Sequence, residues 1–345
     1  MLRLATSVFA LLALISGPLA AEQAQDGSSV YVLPTFAQTK PAVDGVNGKI
    51  EVYGGAGQNN SVNISSFPGL APTADSKTVW NGIGGAAGTI TVPIGHSFGA
   101  QLDLGSGAFG NNPFGAAGGH LFWRDPDKGL VGAYGDGLLL GGKVGNGVWT
   151  AAGEFEAYLG KFTGSAIIGV QGVNYTTAGL NPFEVYAYGG RSAFTVPNYF
   201  TDIIEAKFYP IDDLAISVGH IYSFGRNAVT GEVEYLLPQF RGGNIAPSAF
   251  VSAAYGWNNS SNVMAGIRVY FGNHDKTLIR RQREDDPPSS AGANPHNTVA
   301  EANSPSVHRL VNTPVFRLRC SMARGLLPPH EWPPECADSD RSRPP

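Results

Sequence analysis

Asn262-Val263-Met264-Ala265-Gly266-Ile267-Arg268-Val269-Tyr270-Phe271 decides the fold class. Val263, Ala265, Ile267, Val269 and Phe271 fall on one face of a strand, and Met264, Gly266, Arg268 and Tyr270 fall on the other. One face is wholly apolar and the other carries an arginine, with strict period-two alternation. The run ends in an aromatic residue and gives way at once to the polar Gly272-Asn273-His274-Asp275-Lys276. A chain that repeats this pattern behind an export signal reads as a membrane β-barrel, apolar towards lipid and polar within.

The first residues supply that signal. Arg3 gives the positive end, Val8 to Ile15 an apolar run, and Gly17-Pro18-Leu19-Ala20-Ala21 small residues for cleavage, expected after Ala21. A spanning helix needs about 20 apolar residues, and no stretch of the chain has them. A membrane reading therefore requires a closed barrel, since only helices and barrels satisfy the backbone in lipid.

Composition agrees. Charged residues make up 14% of the chain, against about 25% in ordinary soluble domains. Glycine occurs 46 times in 345 residues, close to double the usual share of roughly 7%. The net charge of −4 gives no basic footprint, so no nucleic-acid partner is expected. Cys320 and Cys336 are the only cysteines and both lie near the C-terminus, so no disulfide framework holds the body.

Four zones follow: a signal over 1–21, a periplasmic lead-in over 22–47, a β body over 48–271, and a proline-rich tail over 272–345 expected to be disordered. In the body, turn signals at 95–97, 125–129, 160–161, 210–212 and 258–261 separate alternating runs of about ten residues. The strands read are 48–57, 84–94, 98–106, 116–124, 129–139, 147–159, 162–173, 200–209, 213–223, 230–239, 248–257 and 262–271, twelve in all. Phe183-Glu184-Val185-Tyr186-Ala187-Tyr188 is a further candidate that, with a partner, makes fourteen. The longest connections, 58–83 and 174–199, are expected at the outer end, with short turns at the periplasmic end. Ten residues at about 3.3 Å, tilted by roughly 45°, cover about 23 Å, near the apolar band of such barrels. Phe122-Trp123, Trp149, Tyr158, Phe208-Tyr209, Trp257 and Tyr270-Phe271 suit interfacial girdles.

On these residues the chain resembles proteobacterial outer-membrane β-barrel proteins in the broad porin-like sense. In that group an aromatic-ended last strand is the recognition signal for the barrel-assembly machinery. Gly266, Val269 and Phe271 stand where the signal places its glycine, apolar and aromatic residues. Met264 departs from it, a polar residue being usual there, and the aromatic is followed by the long segment 272–345. His120-Leu121-Phe122-Trp123-Arg124-Asp125-Pro126 also looks like a segment of uncharacterised barrels of this kind. The likeness covers roughly 48–280 and implies an outer-membrane location, with lipid and the assembly machinery as partners.

Alternation places Glu51, Asp103, Arg124, Glu154, Glu156, Glu205, Lys207, Glu234 and Arg268 in the lumen. They either line a water-filled path for small hydrophilic solutes and tune its preference, or pair and hold a filled barrel rigid. The functional expectation is a passive channel. A non-conducting structural or surface-binding barrel is the second reading, and a secreted soluble β-sandwich binding module the third. No catalytic residues are assigned: His220 and Ser223 are three apart, on opposite faces of a strand, and His96 and Ser97 are neighbours in a turn. His274, His296, His308 and His330 lack metal-ligand spacing, and no phosphate or dinucleotide motif is present. No cofactor or metal is expected.

Overall fold

A computed structural model describes residues 40–65, 73–140, 145–176, 198–237, 239, 245–256, 261–272 and 275–288. The expected signal, both cysteines and the segment 183–188 lie outside these residues. Twelve strands follow one another: β1 (Asn47–Ser65), β2 (Thr73–Ile94), β3 (Phe98–Phe109), β4 (Asn112–Asp125), β5 (Gly129–Leu140), β6 (Gly145–Leu159), β7 (Phe162–Thr176), β8 (Tyr199–Ile211), β9 (Leu214–Ser223), β10 (Arg226–Leu236), β11 (Ile245–Gly256) and β12 (Asn262–Phe271). Each pairs antiparallel with its neighbour, and β12 closes on β1 in the register Glu51↔Arg268 and Tyr53↔Gly266. The ring of strands is closed, so the body of the sheet has no edge, and the projecting hairpin 59–65 and 73–81 pairs with itself alone. Because β7 pairs directly with β8, no further strand enters the barrel between them.

Side chains alternate as their chemistry dictates, but in the opposite sense to a soluble protein. Ile50, Val52, Leu102, Leu104, Leu121, Val131, Phe155, Val218, Val251 and Ile267 are all exposed on the outer surface. Glu51, Asp103, Arg124, Glu154 and Glu234 are buried within. A sandwich would turn the first set inward, so the soluble alternative falls. An apolar belt around a charged interior is the architecture of a transmembrane barrel. On the outer face Ile267→Arg should destabilise the barrel by about 2–4 kcal/mol if the residue sits near the bilayer midplane. Urea titration in lipid vesicles measures this, and an unchanged midpoint would remove Ile267 from the lipid belt.

Three sequence expectations shift. The span 58–83 is largely strand, since β1 runs to Ser65 and β2 starts at Thr73. The strand expected over 230–239 is Arg226–Leu236, entered by the two-residue turn Phe224-Gly225. Both turn residues have positive φ, 50° at Phe224 and 81° at Gly225, which matches the twist of a tight hairpin. The strain at Phe224 is offset by burial of its ring edge-on to Tyr199.

The third shift is at the expected tail. Residues 275–288 carry a helix, α1 (Leu278–Glu284), and enter the barrel mouth. The rest of the tail lies outside the described residues. Seven residues are too few for a helix stable in water by itself, so α1 exists through docking.

Candidate functional site: the charged lumen and its plug

All nine charges assigned to the lumen point inward, and most of them join two networks that run around the wall. In the first, Arg268 on β12 donates to Glu51 on β1 at 2.9 Å, to both oxygens of Glu232 on β10 at 2.7 and 2.9 Å, and to Glu234 at 2.8 Å. Its guanidinium lies 4.0 Å from the centre of the Phe250 ring. Gly266 makes that stacking possible, because a Cβ there would stand 2.8 Å from the Phe250 ring and 2.4 Å from the Val52 carbonyl. Ser248 and Tyr270 also donate to Glu234, at 2.6 and 2.8 Å.

In the second, the His120 ring on β4 bridges Glu154 on β6 at 2.7 Å and Asp103 on β3 at 3.2 Å. Asp103 also accepts from Thr89 and Gln101. Lys207 pairs with Glu205 on its own strand at 3.4 Å, and Tyr158 donates to Glu156. Each of these contacts joins strands no more than two apart around the barrel. Towards the β3–β4 turn the lining becomes apolar, with Ile83, Phe109, Leu138, Val148 and Val173 buried and Phe114 packed between them.

What crosses the bore is the segment 275–288. Leu278 is fully buried against Tyr209, Ala215, Leu236, Ala246 and Tyr270. Tyr209 on β8 donates to Gln282, and Gln282 donates to Glu234 on β10. On the opposite side, Arg124 on β4 donates to the Asp285 carbonyl at 3.1 Å, and Lys49 and Gln101 donate to the Pro287 carbonyl. The end of the lead-in closes the same mouth. Arg124 donates to the Ala42 carbonyl, Val43 packs on Phe122 and Leu130, and Lys276 bridges Asp44, Glu284 and Asp285.

Docking should depend on pH through these carboxyls. Burial is the largest influence on Asp285 and pushes its carboxyl up to about 7, against the pull of Lys276. In water the same group titrates at ~3.9. The docked state thus holds the extra proton between these values, so docking weakens as pH rises from about 4 to about 7 and is level above. Burial raises Asp286 in the same sense. At Glu284 burial is outweighed by Arg280 and Lys276, so its carboxyl is lowered and acts in the opposite sense, at lower pH. Current through the full chain should rise over that interval, and Asp285→Asn should flatten the rise. A steeper rise in Asp285→Asn would exclude the assignment.

Between plug and wall lies a cavity of about 140 Å³, roomy enough for several waters. The carboxylates of Glu51, Glu154, Glu156, Glu205, Glu232, Glu234 and Asp286 line it against the cations of Lys49, Lys207 and Arg268. Seven of the nine sequence-assigned charges thus meet on its wall, while Asp103 lies against His120 and Arg124 against the plug. Sequence reasoning missed Lys49, Gln101 and Glu232, although each is two residues from an assigned charge and shares its face. It also left out His120, four residues from Arg124 on the same face. His220 and Ser223 point to opposite faces as expected: His220 contacts Asp202 and Asn227 outside the barrel, and Ser223 donates to Gln171 within. Among the described residues no group of His, Cys, Asp and Glu is arranged to hold a metal ion.

No protein-family model matches the sequence, and no curated protein matches it. Among solved structures the chain is similar to the KdgM porin in complex with disordered oligogalacturonate, at 9% identity over 66% of this chain and 99% of that one, with a TM-score of 0.37. It is similar to the translocator domain of autotransporter NalP from Neisseria meningitidis at 11% identity over 67% and 89%, TM-score 0.41. It is similar to the outer membrane phospholipase dimer of Salmonella typhi at 10% identity over 66% and 90%, TM-score 0.37. Likeness at this level carries no argument about activity, and the barrel rests on its own strand pairing.

Proposed function

We propose that this protein is an outer-membrane channel for small hydrophilic solutes, described here in its shut state. The observation that carries the reading is the direction of the lumen contacts. Wall charges pair circumferentially, between strands at most two apart, and none of these pairs crosses the axis. At the mouth the polar contacts that join opposite walls run through 275–288, which is held by hydrogen bonds, by the Lys276–Asp44 ion pair and by one leucine. A segment held in this way can leave. A signal over 1–21 would export the chain, and Gly266, Val269 and Phe271 would present it to the barrel-assembly machinery for insertion into outer-membrane lipid.

The second reading is a non-conducting barrel, favoured by the apolar lining near the β3–β4 turn. Single-channel recording of the full chain in planar bilayers separates the two. Discrete current steps that become frequent when the plug contacts are weakened support the channel. Silence of every variant in a heat-modifiable, membrane-inserted preparation sinks it.

A further inference from the structure

We infer that the rim pocket filled by Arg283 is a guanidinium-binding subsite, and that the solute class of this barrel is a guanidinium-bearing cation that competes with the plug for it. The solute part rests on the channel reading; the site itself does not. Arg283 lies with its guanidinium carbon 5.1 Å from the centre of the Tyr158 ring and 5.6 Å from that of Tyr209. Both distances are within the roughly 6 Å reach of a cation–π contact. Its Nε donates to the Thr163 hydroxyl at 3.0 Å and a terminal nitrogen donates to the Phe162 carbonyl at 2.7 Å. Two aromatic faces with two acceptors beside them fit a flat, forked cation and give an ammonium less to hold.

Every wall of this pocket belongs to the barrel. Tyr158 is on β6, Phe162 and Thr163 on β7 and Tyr209 on β8, three strands paired in sequence. The pocket therefore persists when the plug leaves. Tyr158 is oriented by its bond to Glu156, and Glu156 lines the acidic cavity behind the pocket, where carboxylates outnumber cations by seven to three. A cation released inward from the pocket enters that cavity. Arg281 repeats the chemistry, 5.7 Å from the Tyr270 ring. Arg280, by contrast, turns along the helix to Glu284 and takes no ring. Plug and solute thus share one pocket, and a solute that binds only the vacated pocket shifts the barrel towards the open state.

The test is calorimetric titration of the full chain in detergent with agmatine, and with 1,5-diaminopentane as a control of equal charge. The wild type, its pocket occupied, should bind agmatine about tenfold or more weakly than R283A, because the vacant fraction divides the affinity. In R283A agmatine should bind more tightly than diaminopentane. Adding T163V, which keeps the side-chain shape, should weaken agmatine severalfold and leave diaminopentane unchanged. Equal agmatine affinity in wild type and R283A, no binding in either, or no preference for the guanidinium overturns the inference. Bilayer recordings on the same samples keep the two readings apart. Binding without current in any variant removes the channel and leaves the site, while current in R283A that agmatine neither blocks nor alters, with no heat of binding, removes the site and leaves the channel.

Discussion

Full-chain protein carrying Leu278→Asp should conduct where the wild type is shut. Leu278 is the apolar anchor of the plug, with none of its surface exposed, and its neighbours come from β8 to β12. Truncating a buried leucine costs about 2–5 kcal/mol, and burying an unpaired carboxylate in its place adds several more. Each ~1.4 kcal/mol is a factor of ten, so the docking equilibrium constant should fall by about a thousandfold or more. Once undocked, seven residues with Ile279 as the one apolar side chain left have no means to remain helical. The strands do not depend on Leu278, so the variant should still insert and still shift on gels when heated. Single-channel recording reads the outcome directly. A variant as silent as the wild type, in a preparation shown to be inserted, would mean that 275–288 does not close the bore. A wild type already conducting at the variant's level would mean the same.

Arg268→Met should cost the barrel about 3–5 kcal/mol, the usual loss when one partner of a buried ion pair is removed. Arg268 holds Glu51, Glu232 and Glu234 together, so the substitution leaves three carboxylates facing one another around a thioether. The measurement is the temperature at which the folded form disappears from unheated-against-heated gels, or the urea midpoint in vesicles. Converting Glu51, Glu232 and Glu234 to glutamine in the same chain should return most of the loss, because the residual repulsion is then gone. If the fourfold variant is as unstable as Arg268→Met alone, the stacking on Phe250 is what matters and the charge explanation fails.

Much of this was legible in the sequence. The ten residues 262–271 contain the whole face assignment of β12, and the same alternation placed Glu154 and Glu156 inward and Phe155 outward on β6. Where the reading stopped short, the cause was local. Phe224-Gly225 carries a positive φ on a phenylalanine, which residue preference alone gives no reason to expect, so the sequence pattern places the start of β10 four residues late. The long hairpin of β1 and β2 reads as loop in the sequence because Gln58, Asn59, Asn60 and Ser61 show no alternation and only Val62 and Ile64 are apolar beyond them.

The sequence by itself determined the class of fold and which side of each strand meets lipid, since those follow from a period of two and the cost of charge in hydrocarbon. Which charges meet was decided only in the closed barrel. Glu51 and Arg268 are partners because β12 returns to β1, and His120 reaches Glu154 over Gly132 on the strand between. The plug was decided there as well. Leu278-Ile279-Arg280-Arg281-Gln282-Arg283-Glu284 is a charged stretch with no periodicity of its own, and its binding surface combines β8 to β12 with Lys49, Gln101 and Arg124 from β1, β3 and β4, which face them only once the barrel has closed.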